Sequence, residues 1–125
     1  MKRSPAPLSL AKRIAQEASA RKAEDIVVLD VRTVANFCDY FVIMTGTVDV
    51  HIGALLEHIS RRVKDDYGMS PLHVEGESAR RWVVLDYGNV IAHIMHPELR
   101  EFYALERVWS RGKTVRYEAK PPAKD

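Results

Sequence analysis

Three aspartates stand beside apolar runs of strand length, where carboxylates bind metal ions, cap turns or face solvent. Asp30 and Asp86 each follow such a run, and Asp39 precedes one. No two of them are one residue apart, which is the spacing that two-metal phosphoryl chemistry often uses. We therefore favour a structural role for these carboxylates and retain metal-assisted catalysis through them as the alternative.

The other reactive residues give little support to a nucleotide or metal site. The glycines are scattered, whereas a phosphate cradle needs closely spaced glycines whose backbone N–H groups approach the anion. His93 and His96 would point to opposite faces of a strand, so they could not hold one ion. The serines lie in no nucleophile-elbow motif, although a pairing of Cys38 with a histidine stays open. We expect no catalytic group, no metal and no cofactor.

Cys38 is the only cysteine, so it cannot form an internal disulfide, and the sequence lacks the CxxC pairs of the usual sulfur zinc sites. We expect a free thiol in or just below the core. The basic N-terminus lacks the apolar segment of a signal peptide, and the longest apolar runs are far short of the roughly 20 residues that a membrane helix needs. The sequence therefore predicts a soluble, cytoplasmic protein.

The net charge of +2 hides an asymmetry between the ends and the middle of the chain. Residues 1–23 carry six Lys/Arg against one Glu, residues 111–125 carry five against two acidic residues, and residues 24–110 carry eight against fourteen, which gives +5, +3 and −6. An acidic body favours a basic protein as partner, and basic ends can meet phosphate at short range. Solvated faces and tails are the alternative explanation.

Apolar residues at helical spacing predict three helices. The first has a narrow stripe and should lean on the edge of the domain; the stripe comprises Leu10, Ile14 and Ala18. Asp49 can cap the second helix and Gly68 ends it; its apolar face comprises Ile52, Leu55, Leu56, Ile59 and Val63. Pro97 opens the last helix. Its stripe comprises Leu99, Phe102, Leu105 and Trp109, of which we expect Phe102 and Trp109 to fill the core.

Short runs rich in β-branched and aromatic residues predict the strands. Residues 26–29 and 40–44 have the composition of central strands that are covered on both faces. Residues 72–74 form a short strand. Residues 82–85 and 90–94 flank a turn and therefore predict a hairpin.

The predicted fold class is α/β (α+β), a mixed sheet of about five strands with flanking helices. A further strand is a candidate near residues 114–117. The predicted organisation is a flexible segment at residues 1–8, one domain at residues 9–112 and a basic, flexible tail at residues 113–125.

Residues 75–109 are dense in Trp, Tyr, Arg and His, whose apolar bodies and polar tips suit the anchors of protein interfaces. Alternation along the strand places Trp82 and Asp86 on one face and Leu85 on the other. We therefore expect Leu85 in the core and Trp82 at a partner surface, beside a turn that exposes Tyr87.

The order and spacing of these segments closely resemble the ribosomal silencing factors, also called the Iojap-like family, from about Ala11 to Trp109. The matching segments are Lys22-Ala23-Glu24-Asp25-Ile26, Leu29-Asp30-Val31, Asp39-Tyr40-Phe41-Val42-Ile43 with Thr45-Gly46, Glu75-Gly76, Trp82 through Gly88, His93, and Arg100-x-Phe-Tyr-x-Leu-Glu-x-x-Trp109. The resemblance implies a mixed α/β fold similar to the nucleotidyltransferases but without their catalytic signature.

The resemblance also implies a non-enzymatic protein that binds the large ribosomal subunit through ribosomal protein fourteen. Such a protein sterically blocks association with the small subunit and so represses translation, and it often forms a homodimer off the ribosome. Short-range contact of the basic ends with rRNA fits this role. The partner-binding residues we expect are Trp82, Asp86, Tyr87, His93, Arg100 and Tyr103.

Each of these residues has an expected role. Trp82 and Tyr87 would be buried anchors, and Asp86 would accept hydrogen bonds from Lys or Arg of the partner. For Arg100 a scaffold role, paired with a local carboxylate, is the alternative. The rival functions are a nucleotidyltransferase-like enzyme or nucleotide-binding protein using Asp30, Asp39 and Asp86, and a purely structural homo-oligomer.

The sequence departs from the family pattern at three positions. Asn89 stands where an Asp is common, Val50 where a basic or polar residue often occurs, and Met95 where an aromatic residue is usual. Asn89 preserves the turn geometry but removes a charge. These departures bear on the detail of the partner contact.

Overall fold

Six strands form one mixed sheet in the computed structural model, which describes residues 5–108 and 111–119. The strands are β1 (Glu24–Asp30), β2 (Tyr40–Thr45), β3 (His73–Glu75), β4 (Trp82–Asp86), β5 (Val90–Met95) and β6 (Lys113–Val115). Their spatial order is β3-β4-β5-β2-β1-β6. β2 and β5 are parallel, and the other neighbouring strands are antiparallel. The predicted fold class is confirmed, and the predicted count of about five strands is one too low.

Two long helices cover one face of this sheet. α1 (Pro7–Ala20) packs mainly against β1 and β2, α2 (Asp49–Tyr67) packs against β4 and β5, and the two helices contact each other. Two short helices follow β5, namely α3 (Pro97–Tyr103) and α4 (Leu105–Val108). Within the described part of the chain, no helix is both long and apolar enough to cross a membrane.

The main core lies between the two long helices and the sheet. Alternate residues of the strands point towards the helices, and Val83 and Leu85 are completely buried there, as the strand pattern predicts. α1 lies in this core and not at the edge of the domain, because Ala11 and Ala15 are buried beside its predicted stripe. The small alanine side chains widen the apolar face of α1 and let it approach the sheet closely.

The ends of α2 are set by local backbone chemistry. Gly68 adopts the left-handed conformation with φ 69° and its N–H donates to the Lys64 carbonyl, so the predicted helix end is confirmed. The N-cap is Val48, and Asp49 is the first helical residue. The Asp49 carboxylate accepts a hydrogen bond from the Val50 N–H at 2.9 Å, so the predicted cap position is wrong by one residue.

A buried ionic network joins α1 to α2. Glu17 is 2% exposed; its Oε1 lies 2.9 Å from His58 Nε2, and its Oε2 lies 3.3 Å from Arg13 Nε. Arg62 Nε is 3.6 Å from the same carboxylate, and Arg13 also pairs with Asp66. Burial lowers the pKa of His58 more strongly than the adjacent Glu17 raises it. A carboxylate buried this deeply requires such partners to offset its lost hydration.

The C-terminal segment contributes the edge strand β6. Residues 113–115 pair with β1, with Thr114 opposite Leu29. The candidate strand near residues 114–117 is therefore confirmed, and the first three residues of the predicted flexible tail belong to the sheet. At the other end α1 begins at Pro7, inside the predicted flexible segment 1–8. The predictions for Trp109 and for residues 1–4 and 120–125 lie outside the described residues.

The predicted stripe of the last helix is wrong at Phe102. Pro97 opens α3 as predicted, but the helix ends at Tyr103 and Ala104 takes a left-handed conformation with φ 46°. In this short helix the inward side carries Leu99 and Arg100, while Phe102 is 80% exposed. The prediction assumed one continuous helix. The break at Ala104 changes the direction in which the side chains after it point relative to those before it.

Truncating Leu85 should test the assignment of the two sheet faces. Leu85→Ala removes a completely buried side chain from the core below α2, and such truncations cost about 2 to 5 kcal/mol of unfolding free energy. The matched control is Val84→Ala on the opposite, half-buried face, which should cost clearly less. Urea denaturation of both variants measures the difference, and equal losses would contradict the assignment.

Candidate functional site

The face of the sheet opposite α1 and α2, which we call the open face, has a thinner cover. Its strand residues form a second apolar cluster that the loop after β1 and the short helices α3 and α4 cover in part. Val34 and Ala35 of the loop, Leu99 of α3 and Leu105 of α4 pack against this cluster. Among the described residues, no long helix lies on the open face.

A series of ring side chains, which we call the ring band, crosses the open face. It runs in the order Phe37, Phe41, His93, Trp82, Tyr103, Phe102, and the successive ring centroids are 6.0, 5.2, 6.0, 4.9 and 5.0 Å apart. The band therefore links the loop after β1, three strands and α3. Its middle is buried at Phe41 and His93, whereas its ends are exposed at Phe37 and Phe102.

Trp82 and His93 form the polar contact at the centre of the ring band. They lie on the adjacent strands β4 and β5 in a diagonal arrangement, since His93 is directly opposite Val84. The Trp82 Nε1–H donates to His93 Nδ1 at 3.1 Å. Burial lowers the pKa of His93 to about 4, because a charged imidazolium is poorly solvated among apolar rings. The imidazole is therefore neutral at physiological pH.

Two carboxylates lie at the other end of the open face. Asp86 ends β4, where its Oδ1 accepts a hydrogen bond from the Gly88 N–H at 2.7 Å. Asp39 precedes β2, and its backbone N–H donates to the Asn89 carbonyl at 2.8 Å. Burial raises the pKa of the nearby Cys38 to about 11, and the charges of Asp39 and Asp86 raise it further. The predicted free, buried thiol is confirmed.

The structure changes the interpretation of Tyr87 and Arg100. Tyr87 is 6% exposed and packs with the helix-side core, so the expectation that the turn exposes it is wrong. Burial raises the pKa of its hydroxyl to about 12. The side chain of Arg100 is also buried, and its Nη1 donates to Thr45 Oγ1 at 2.9 Å. This hydrogen bond to the Thr45 hydroxyl supports a scaffold role for Arg100, and its pairing with a local carboxylate stays a prediction.

The remaining predicted residues all contribute to the open face. Trp82, His93 and Tyr103 lie together in the ring band. Asp86 is four residues from Trp82 on β4, which corresponds to about 13 Å of strand.

Two of the three aspartates of the enzymatic alternative, Asp30 and Asp86, have local structural roles. Asp30 binds Arg32 with an oxygen-to-Nη2 distance of 2.7 Å, and this hydrogen bond lowers the Asp30 pKa. The Asp86 carboxylate accepts the Gly88 N–H and so caps the turn. Within residues 5–108 and 111–119, no three His, Cys, Asp or Glu side chains are grouped so that they could hold a metal ion.

Sequence reasoning missed the two ends of the ring band. Phe37 is 56% exposed in the loop between β1 and β2, where no periodic pattern assigned it to a surface. Phe102 was placed in the core because α3 was treated as part of a longer helix. The signal available for Phe37 was its place in the loop between two predicted strands, because connecting segments run over the protein surface.

These features define the class of protein as a small mixed α/β domain with one helix-covered sheet face and one face lined by rings. A crystal structure from Chromobacterium violaceum has this fold, with a TM-score of 0.81 and 23% identity over 93% of this chain and 95% of that chain. A crystal structure from Bacillus halodurans superimposes with a TM-score of 0.69 and 29% identity, covering 87% and 95% of the two chains.

The profile of the family "Ribosomal silencing factor during starvation" matches residues 3–125. Ribosomal silencing factors of Bacillus subtilis and Halalkalibacterium halodurans are 34% and 32% identical, over 81% and 78% of this chain and 85% and 83% of the relatives. A mouse protein named "Mitochondrial assembly of ribosomal large subunit protein 1" is 35% identical over 70% of this chain and 40% of its own length. The chain belongs to the ribosomal silencing factor family, as the sequence resemblance indicates.

The low pKa of His93 predicts a pH dependence of stability. The unfolded chain binds a proton at His93 near pH 6.5, whereas the folded chain does so near pH 4. The folded state therefore loses up to about 3 kcal/mol of stability from this residue as the pH falls from about 6.5 to 4. Denaturation curves between pH 7 and 4.5 measure the slope, and His93→Gln should show a shallower one. An identical slope in the two proteins would contradict the burial of a neutral His93.

Proposed function

We propose that this protein silences translation by binding the large ribosomal subunit with its open face and so keeping the small subunit from joining. The direct partner is large-subunit ribosomal protein fourteen. A protein of 14.2 kDa bound where the two subunits meet occupies space that the small subunit requires. Silencing of this kind needs affinity and position, and it needs no catalytic group.

The ring band is the observation that carries this proposal. Partly exposed aromatic side chains supply large contact areas with few rotatable bonds, and they dominate the binding energy of protein interfaces. Here they are arranged in one continuous series on the sheet face opposite the long helices. Exposure of 80% at Phe102 and 46% at Tyr103 leaves apolar area for a partner to cover.

Charge supports a basic partner for the same face. Residues 24–110 carry a net charge of −6, and Asp39 and Asp86 lie at one end of the open face. Carboxylates at the rim of an interface speed the approach of a positively charged protein. The combination of an aromatic centre and an acidic end suits a ribosomal protein that is itself built to bind RNA.

The comparisons support the ribosome as the site of action. The family is named for ribosomal silencing, and the mouse relative is named for assembly of the ribosomal large subunit. We extend this association with the large subunit to the present chain. The basic ends, at +5 and +3, would add short-range contacts with rRNA phosphates. Off the ribosome, in the cytoplasm, the protein would form a homodimer.

Truncating the ring band should weaken binding strongly without unfolding the protein. Phe102→Ala changes a side chain that is 80% exposed, so its melting temperature should stay near that of the parent chain. Trp82→Ala removes a half-buried anchor, and we expect binding to fall roughly 30- to 1000-fold, or about 2 to 4 kcal/mol. Co-sedimentation with purified large and small subunits measures binding.

The matched control for these variants is Val50→Ala. Its departure from the family pattern was expected to bear on the partner contact, but Val50 is 71% exposed on α2, which covers the other face of the sheet. This variant should therefore bind large subunits as the parent does. If Val50→Ala lost binding while Phe102→Ala and Trp82→Ala retained it, the docking surface would have to lie on the helical side.

Neutralising Asp86 should weaken binding mainly at low salt. Asp86→Asn retains an oxygen that can accept the Gly88 N–H but removes the charge that attracts a basic partner. We expect a slower association rate at low ionic strength and a smaller difference at high ionic strength, because salt screens exposed charges. Asp65→Asn on the exposed side of α2 is the control. Equal rates for both variants would show that the acidic end does not face the partner.

A further inference from the structure

The two ring nitrogens of His93 have different surroundings. Nδ1 accepts the hydrogen bond from the Trp82 indole, whereas Nε2 is buried and has no hydrogen-bond partner among the described residues. An indole N–H can only donate, so Nδ1 must carry a lone pair. In the neutral imidazole the proton therefore resides on Nε2. Trp82 thus fixes His93 as a hydrogen-bond donor through Nε2.

This tautomer is the stable one at physiological pH. Protonation would place a hydrogen on both nitrogens and turn the Trp82 contact into two donors facing each other. The neighbours of His93 are apolar and therefore favour the neutral ring. The ring centroids of Phe41 and His93 are 5.2 Å apart in a T-shaped arrangement. Ile43 and Val84 lie opposite His93 on the two adjacent strands. The centre of the ring band thus contains a single N–H donor in apolar surroundings.

A buried donor without an acceptor is unfavourable and uncommon in folded proteins. His93 is 9% exposed, so its ring lies just beneath the protein surface. The neighbouring Trp82 is covered by Tyr103 at a centroid distance of 4.9 Å, and Tyr103 is itself 46% exposed. A partner that packs on Trp82 and Tyr103 therefore lies beside the His93 imidazole, which contacts Trp82 directly.

We propose that His93 Nε2–H is the specificity-determining donor of the open face and that it binds a backbone carbonyl oxygen of the docked ribosomal protein. This inference rests on the proposed function and names the chemistry of its central contact. Trp82 acts as a positioning residue for His93 in addition to supplying contact area. A carbonyl fits better than a carboxylate, because Asp39 and Asp86 on the same face disfavour an anionic acceptor. A partner that presents a Lys, Arg or amide N–H at this point meets a donor and is rejected.

Nuclear magnetic resonance of the full chain, labelled with nitrogen-15 in histidine, tests the donor directly. The long-range proton–nitrogen spectrum of His93 should show the Nε2–H tautomer in the free protein. Saturation with purified large-subunit ribosomal protein fourteen should then move the Nε2–H proton downfield as it gains an acceptor. An Nδ1–H tautomer, or an Nε2–H resonance that does not shift in the saturated complex, would overturn the inference.

Three variants separate the donor from the shape of the ring. His93→Gln retains an N–H near the ε position, and His93→Leu retains apolar volume without a donor. The Leu variant should bind protein fourteen roughly three- to tenfold more weakly than the Gln variant, which is the usual effect of one neutral hydrogen bond. Trp82→Phe preserves a ring but removes the indole N–H, so the His93 resonances should become a mixture of both tautomers. A merely structural role for Trp82 would leave the tautomer unchanged.

The outcomes distinguish this inference from the proposed function. If the parent chain bound neither protein fourteen nor the large subunit, the proposed function would be wrong. The proposed contact of His93 would then be wrong as well. If the parent chain bound and the Leu and Gln variants bound equally well, only the inference about His93 would fail. Melting temperatures of all three variants show whether each is folded. A Leu variant that is folded as stably as the Gln variant but binds more weakly supports the donor role.

Discussion

The packing of both long helices on one face of the sheet is the constraint on which the rest of the structure depends. Strand residues alternate between two faces, so six strands produce two apolar surfaces. α1 and α2 cover the central strands on one of them. The other surface is left to a loop and two short helices, which leave ring side chains partly exposed. The buried core on one face and the exposed rings on the other thus have the same origin, because both long helices pack on the same face of the sheet.

An ionic network around Glu17 joins the two long helices that share one face of the sheet. Side chains must fill the interface between two adjacent helices, and here some of those side chains are charged. Glu17 of α1 contacts His58 and Arg62 of α2 across the boundary between the helices. Loss of the basic partners would leave a buried carboxylate without compensation, which is more destabilising than the absence of the whole network. The packing of the two helices over the core therefore includes charged contacts, which the periodicity of apolar residues does not reveal.

The sequence predicted those features that local periodicity determines. It located the hairpin of β4 and β5, the end of α2 at Gly68 and the burial of Leu85. Tyr87 was misplaced because strand alternation was not continued into the turn, although Tyr87 follows Leu85 by two residues and shares its side. Phe102 was misplaced because nothing in the apolar spacing marks the break at Ala104. The strand order, and with it the ring band that joins β2, β4 and β5, depends on pairings between distant segments that periodicity does not encode.

The parallel pairing of β2 with β5 has a consequence for how the protein folds. Tyr40 is opposite Val90 in this pair, so the two strands are about fifty residues apart in the sequence. The chain between them must be closed into a loop before the centre of the sheet can form. Non-local pairings of this kind slow folding. Local contacts can form the β4–β5 hairpin and α2 first, but Phe41 on β2 meets His93 on β5 only when the two halves join. A partly folded or newly synthesised chain therefore has no complete ring band. The surface proposed for docking is therefore complete only after this long-range pairing has formed.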